Sequence, residues 1–527
     1  MFFCRILHMK SFLLLPVIAV WAAALPCIGA EPVASWKEVA APLSHPSSEM
    51  GALGKEDFSL ALWIRAKAGP GGDLLSQYDP VKRRGFHLSL KSNSGVTSNQ
   101  ANWRHLQFGI DDHRDSEWTA CGRPGKSLFA FSLAVHQGKL YAGSCEPGKE
   151  DRGHVYRYDG GDQWVDCGAP DGSNSVTALA VWEGALYAGT GKYRVAGSSL
   201  PESENTTVGG RIFRYGGEKQ WIDCGQLPDT EAVGGLVVHE GDLYASSLYK
   251  PAGFFRYEGE KSWTSLSVPS GPGQSASEAV AKRVEPLTVH GGALYAGSYD
   301  GGHVYRFDGS EWTDCGQLGE NTQTYSFTSF GGSLVVGTWP SGRVYRFDGI
   351  DQWSDLGRLG EETEVMGMMV HNGRLLGGTL PLAEVYEYEG GTAWKRLARL
   401  DPTPDVRYRR AWTMAEHDGR VFVSTLPSGV IYSFAAGAQV QWGDSLSEGW
   451  HHVAAVKSGG SLALFLDGEQ VARCDSDLST YHLSSEEPLK IGEGRNGPFA
   501  GDLREVRVYR ECLTKETIRE LAAARPE

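Results

Sequence analysis

Twelve side chains between residues 193 and 410 supply the groups that a sugar ligand needs. Tyr193, Tyr249, Tyr299 and Trp339 offer rings that can stack on the CH faces of a pyranose. Arg194, Arg283, Arg409 and Arg410 offer guanidinium forks for carboxylates. Glu231, Glu285, Asp300 and Glu364 can accept hydroxyl protons. If two of the three glutamates converged within about 5–9 Å, they would form the acid–base pair of a glycosidase. The bland alternative is a solvated loop face with incidental aromatic residues, its arginines paired to neighbouring acids.

No other chemistry competes for these residues. The chain has no G-x-S-x-G elbow, no H-E-x-x-H pair and no close Cys/His cluster. Ser298-Tyr299-Asp300-Gly301-Gly302 partly matches the Asp box of sialidase propellers, but it does not repeat and reads as coincidence. His136, His239, His290, His371 and His417 recur at one hairpin position and read as turn residues. A noncatalytic binding or adhesion protein is therefore favoured, with a glycan-active hydrolase or lyase as the alternative.

The elements that position these residues are repeats. An apolar run, a turn, a phrase such as L-Y-A-G-S, an aromatic strand and a Trp phrase recur 40 to 57 residues apart. The runs begin at Leu133, Leu179, Leu236, Leu287, Phe327, Met368 and Thr413. Alternation within V-Y-R-F puts rings on one face and Arg on the other. The last copy stops at IYSF (431–434), before its Trp phrase. The missing phrase stands upstream, as SEWTACG (116–122) beside SEWTDCG (310–316). A ring must close or leave a strand edge unpaired, so 116–122 is expected to complete the last unit. This arithmetic predicts a seven-bladed β-propeller over 116–435, loosely similar to kelch propellers in Gly291-Gly292 and Gly331-Gly332. The twelve residues would lie on its face where first strands begin and second strands end. Trp312, if fully packed between blades, would cost about 3–5 kcal/mol on truncation to Ala.

The flanks carry a second pattern. FSLALWIRA (58–66), GWHHVAAV (449–456), LALFLDGEQVA (462–472) and FAGDLREVRVYRECLT (499–514) stand in this order. They resemble the laminin-G-like, concanavalin A-like jelly-roll family, but only when both flanks are read together. The resemblance implies one jelly roll split over 31–115 and 436–527, with the propeller inserted between nearby strands. It also implies binding to extracellular carbohydrate or a surface partner, and a rim calcium as a possible cofactor. No such metal site can be placed residue by residue. Asp467, in a D-G hairpin, reads as a turn residue. A short helix over 514–524 is expected to start from Thr514.

Bulk properties agree with an all-β chain of more than one domain. The 527 residues include 68 Gly, 16 Trp and 21 Tyr, which suits short strands and tight turns. A net charge of −14 disfavours nucleic-acid binding. Arg5, His8 and Lys10 precede an apolar stretch from Phe12 to Leu25, so residues 1–30 read as a signal peptide, with Met9 an alternative start. A secreted, periplasmic or surface location is expected. Cys121, Cys167, Cys224 and Cys315 share one phrase in different repeats and read as buried thiols, while Cys474 and Cys512 are a candidate disulfide.

Overall fold

The computed structural model describes residues 30–47, 53–67, 69, 71–96, 100–272 and 279–525. The expected signal peptide, apart from Ala30, lies outside them.

Two six-stranded antiparallel sheets form the jelly roll. One runs Ala34–Val39, Gly501–Tyr509, Phe58–Ala66, Trp450–Ser458, Ser461–Leu466, Glu469–Asp475. The other runs Leu43–His45, Leu489–Ile491, Gly72–Asp79, Arg84–Ser94, Gln100–Asp115, Ala436–Gln441. Each sheet interleaves strands from both flanks of the chain, as the split pattern required. Period-two alternation turns Phe58, Leu60, Leu62 and Ile64 inward against Phe86, Leu88, Phe108 and Ile110 of the facing sheet. The helix Lys515–Ala523 follows, capped by Thr514, whose Oγ1 accepts from the Thr517 amide at 3.2 Å.

Between the flanks lie five four-stranded antiparallel sheets and one eight-stranded sheet. The halves of the larger sheet, 129–166 and 175–226, meet through one residue pair, Ser175 with Cys145. First strands pack side by side from Phe129–His136 through Ser175–Trp182 and onward to Arg410–His417, which returns to Phe129–His136. Thr119–Ala120 pairs with Ile431–Phe434 at Tyr432–Ala120 and Ser433–Thr119, so both ends of the segment share one blade. Ser270–Pro272 and Ala279–Ala281 pair as a separate two-stranded sheet.

The W-x-x-C-G phrase has a physical cause. Five outer-strand Trp residues donate Nε1–H to a carbonyl at the end of the preceding outer strand. Trp164 reaches Cys121 O at 2.7 Å, Trp221 reaches Cys167 O at 3.0 Å, and Trp263 reaches Cys224 O at 2.9 Å. Trp353 reaches Cys315 O at 2.8 Å, and Trp394 reaches Leu356 O at 2.9 Å. Trp312 bonds Ser267 O at 2.8 Å instead, one residue on, and is only half buried, so its truncation removes less contact than the fully packed figure supposes. The glycine after the cysteine lets the next blade approach: a Cβ on Gly225 would lie 2.4 Å from Lys261 O. The four cysteines of the phrase are buried free thiols.

The jelly roll does not hang beside the propeller but enters it. Strands Arg84–Ser94 and Gln100–Asp115 pack on the far ends of the first strands. Ser94 Oγ meets Thr288 Oγ1 at 3.0 Å, and Gln100 Oε1 accepts from the Val238 amide at 3.2 Å. Val96, fully buried at the tip of this hairpin, packs with Phe129, Phe131, Met366 and Trp412. Behind the tip, Glu416 is wholly buried and saturated. Its Oε2 accepts from Lys91 at 2.8 Å, Asn93 at 2.9 Å and Gln107 at 2.7 Å, and its Oε1 pairs with His371 Nδ1 at 2.9 Å. Lys91 also donates to Val370 O. His371 is thus part of a buried charge network and not a simple turn residue.

Candidate functional site

At the opposite ends of the same first strands lies a cavity of about 480 Å³. In an antiparallel blade the first strand begins where the second ends, so residues from both positions converge there. Glu364 and Arg410 open the strands Glu364–His371 and Arg410–His417. Tyr193, Tyr249 and Tyr299 follow the second strands that end at Gly191, Ser247 and Gly297.

Seven of the twelve expected residues line this cavity: Tyr193, Arg194, Tyr249, Arg283, Tyr299, Glu364 and Arg410. Glu285 and Asp300 stand behind them. Asp300 takes Arg283 in a fork, Nη2 to Oδ1 at 2.9 Å and Nε to Oδ2 at 3.1 Å, and Glu285 Oε1 lies 3.7 Å from Arg283 Nη1. Glu231 sits at the half-exposed rim, paired with Arg194 at 2.8 Å. The last two of the twelve also stand outside the lining. Trp339 ends the strand Ser333–Trp339 and does not line the cavity. Arg409 donates Nε to Thr403 O at 2.5 Å and is likewise outside the lining, because strand alternation gives Arg410 the inward position.

The sequence reading missed Phe131, Glu202, Leu248, Gln323, Tyr325 and Trp412, which also line the cavity. A period-two signal was present. Tyr325 lies two after Gln323, Trp412 two after Arg410 and Phe131 two after Phe129, all at strand starts. Their rings build the wall: Trp412 lies 4.6 Å from Phe129 and 5.0 Å from Phe131, and Tyr299 lies 4.7 Å from Tyr325.

The electrostatics are lopsided. Burial pushes the Glu364 and Glu285 carboxyls above their ordinary value, towards the neutral form. Burial likewise pushes up Tyr193, Tyr299 and Tyr325. Burial works against the Arg410 charge, yet Glu364 and the surrounding tyrosines leave that guanidinium above its ordinary value. Arg410 is 6% exposed, and its Nε and Nη1 have no hydrogen-bond partner. Glu364 Oε1 also lacks one, and Glu364 Oε2 lies 3.7 Å from Arg410 Nη2, beyond hydrogen-bond reach. Arg194 by contrast lies 4.2 Å over the Tyr249 ring and is tied to Glu231.

Other expected sites fare differently. Cys474 and Cys512 are free thiols. Cys512 Sγ points to Lys457 O, two strands from the strand carrying Cys474, roughly 10 Å by sheet spacing and too far for a disulfide. Asp467, at φ 50°, holds its hairpin by accepting from the His452 amide at 2.8 Å and pairing with His451 Nδ1 at 2.8 Å. Among the described residues no group of three or more His, Cys, Asp or Glu side chains could hold a metal ion.

One family model matches part of the chain, and solved structures resemble it only weakly. The family described as concanavalin A-like lectin/glucanases superfamily matches residues 394–519, which span the second jelly-roll flank and the end of the propeller. Among solved structures, virginiamycin B lyase from Staphylococcus aureus is 9% identical at a TM-score of 0.45, covering 61% of this chain and 99% of that one. YCF48 bound to D1 peptide is 12% identical at 0.42, covering 61% and 97%. The WD40 β-propeller domain of Doa1 is 12% identical at 0.39, also covering 61% and 97%. A search of the curated proteins found no match. No described helix is long and apolar enough to cross a membrane. With its sheets closed in a ring and its flanks woven into one sandwich, the chain is an all-β protein that joins a β-propeller to a laminin-G-like, concanavalin A-like jelly roll.

Proposed function

We propose that this is an exported, noncatalytic binding protein whose propeller face recognises extracellular carbohydrate. Counting the eight-stranded sheet as two blades makes the ring seven-bladed. Export rests on the leader read in residues 1–30. The observation that carries the binding reading is the cavity wall. Aromatic rings stand beside one buried group that must donate, Arg410, and one atom that wants a donor, Glu364 Oε1. A sugar hydroxyl both accepts and donates, so neighbouring hydroxyls satisfy the pair while the ring packs on aromatic faces.

The buried glutamates would also suit a general acid, which is the feature that favours cleavage as a second reading. Hydrolysis or elimination needs a base as well: burial shifts the cavity tyrosines and Glu364 away from their basic forms, and Glu202, held below its ordinary value against burial, is already bonded to the Ala196 amide at 3.0 Å and to Lys192 at 3.2 Å. The test is a glycan array with residues 31–527, run with calcium and with chelator. Selective binding should be lost in Trp412→Ala and kept in Trp339→Ala. Calcium dependence would move the site to the jelly roll, and no binding in either condition would sink the carbohydrate reading.

A further inference from the structure

The cavity is the open end of a plugged channel. The floor beneath it is a buried apolar cluster in which Val96 of the jelly-roll hairpin joins Phe131 and Trp412 of the cavity wall. Below the floor the Glu416 network closes the far mouth with every Glu416 oxygen bonded. A ligand must therefore enter and leave by one mouth. A polymer cannot thread through, and only the end of a chain can reach the wall formed by Trp412.

The cations at the cavity are not equally well bonded. Arg283 is committed to Asp300, and Arg194 to Glu231. Lys192 is committed to Glu202. Among the described arginines of the cavity lining, Arg410 is the one whose buried Nε and Nη1 lack hydrogen-bond partners, while its Nη2 faces Glu364 Oε2 at ion-pair distance, 3.7 Å. Nε and Nη1 lie on different sides of the guanidinium, so each takes a single acceptor, and a carboxylate oxygen makes the stronger, charge-assisted bond.

Building on the carbohydrate reading above, we infer that the cavity takes the terminal residue of an acidic glycan, its carboxylate accepting from Arg410 and its ring held by Trp412 and Tyr325. The cavity's size lies within the roughly 300–1,000 Å³ of small-ligand sites, which suits one or two sugar units and not a long segment.

Calorimetric titration of residues 31–527 tests this with three ligand sets. The first is a panel of trisaccharides ending in glucuronate, galacturonate or mannuronate. The second is the same panel with the carboxyl reduced to the alcohol. The third is pentasaccharides that enclose the uronate between neutral sugars. At least one terminal acid should bind, with its reduced counterpart on the order of 30-fold weaker or more, as for loss of one partner of a buried charge pair. The enclosed uronates should not bind. Because the carboxylate is removed from the ligand, this arm does not depend on a variant folding. Arg410→Gln should abolish the preference for acid over alcohol. Equal affinity for acid and alcohol would overturn the carboxylate claim while leaving carbohydrate binding intact. Tight binding of an enclosed uronate would overturn the chain-end claim. Array binding confined to neutral glycans would overturn the inference alone, whereas no binding of any sugar would overturn both readings.

Discussion

The two ends of the propeller channel are built from the same strands and treat buried charge in opposite ways. At the jelly-roll end, Glu416 is surrounded by Lys91, Asn93, Gln107 and His371, and every oxygen is bonded. At the open end, Glu364 and Arg410 are just as buried but do not satisfy each other. Glu364 and His371 are the first and last residues of one strand. Arg410 opens the strand that carries Glu416 near its far end. A network completed within the protein rigidifies a joint, whereas one left incomplete waits for an outside partner.

Breaking the closed end should have the largest effect. Glu416→Ala strands a buried lysine and two amides, and should cost about 3–5 kcal/mol in chemical denaturation. A loss below about 1 kcal/mol would mean that the network does not hold the domains together. Val96→Asp places an unpaired carboxylate on the dry floor between the two ends. It should cost about 2–5 kcal/mol and weaken ligand binding together with stability. Binding unchanged at full occupancy would show that the floor does not shape the cavity.

Acidity separates the ends by sign. Burial holds His87 down to about 4 and His105 down to about 3, both on the jelly-roll face that plugs the channel. In the unfolded chain these rings charge near 6.5. The unfolded state therefore binds more protons below that pH, and stability should fall as pH drops from 6.5 towards 4, by up to about 1.4 kcal/mol per unit per ring. Burial opposes the Glu416 charge, but Lys91 and His371 hold its carboxyl well below the usual range, so further stability is lost as pH falls below 4.5. Glu364, raised by burial, works the other way, and its contribution is lost as pH rises above 4.5. Denaturation midpoints between pH 4 and 7 should thus rise with pH, and more steeply in Glu364→Gln. A flat profile would contradict the placement of the buried histidines.

The smallest effect is expected at the open end itself. Glu364→Gln keeps the shape of a carboxyl already pushed towards neutrality, and stability at pH 7 should change by less than about 1 kcal/mol. A loss as large as that of Glu416→Ala would erase the contrast between the two ends.

Much of this was legible because it was written locally. SEWTACG ahead of the first repeat and IYSF without a Trp phrase predicted the closure that Tyr432 and Ala120 make. The alternation in FSLALWIRA predicted the buried face of its strand. Glu364, Arg410, Tyr193 and Tyr299 could be named as a group because loop and strand-start positions converge in any propeller. Arg409 and Trp339 stand at the same end without lining the cavity: Arg409 precedes the inward Arg410 in the chain, and Trp339 is paired with Gln323, which does line it. Tyr325 and Trp412 escaped because an aromatic residue at a strand start reads equally well as core.

The sequence by itself determined the strands, their repeat, the closure of the ring and the weaving of both flanks into one sandwich, since each rests on patterns a few residues long. Only the tertiary structure decided which channel mouth is sealed and which buried charge is left over. Lys91 and Glu416 stand 325 residues apart, and no local pattern marks them as partners. Their bond exists only once the jelly-roll hairpin has entered the ring and excluded water, and the same docking leaves Arg410 at the one mouth that stays open.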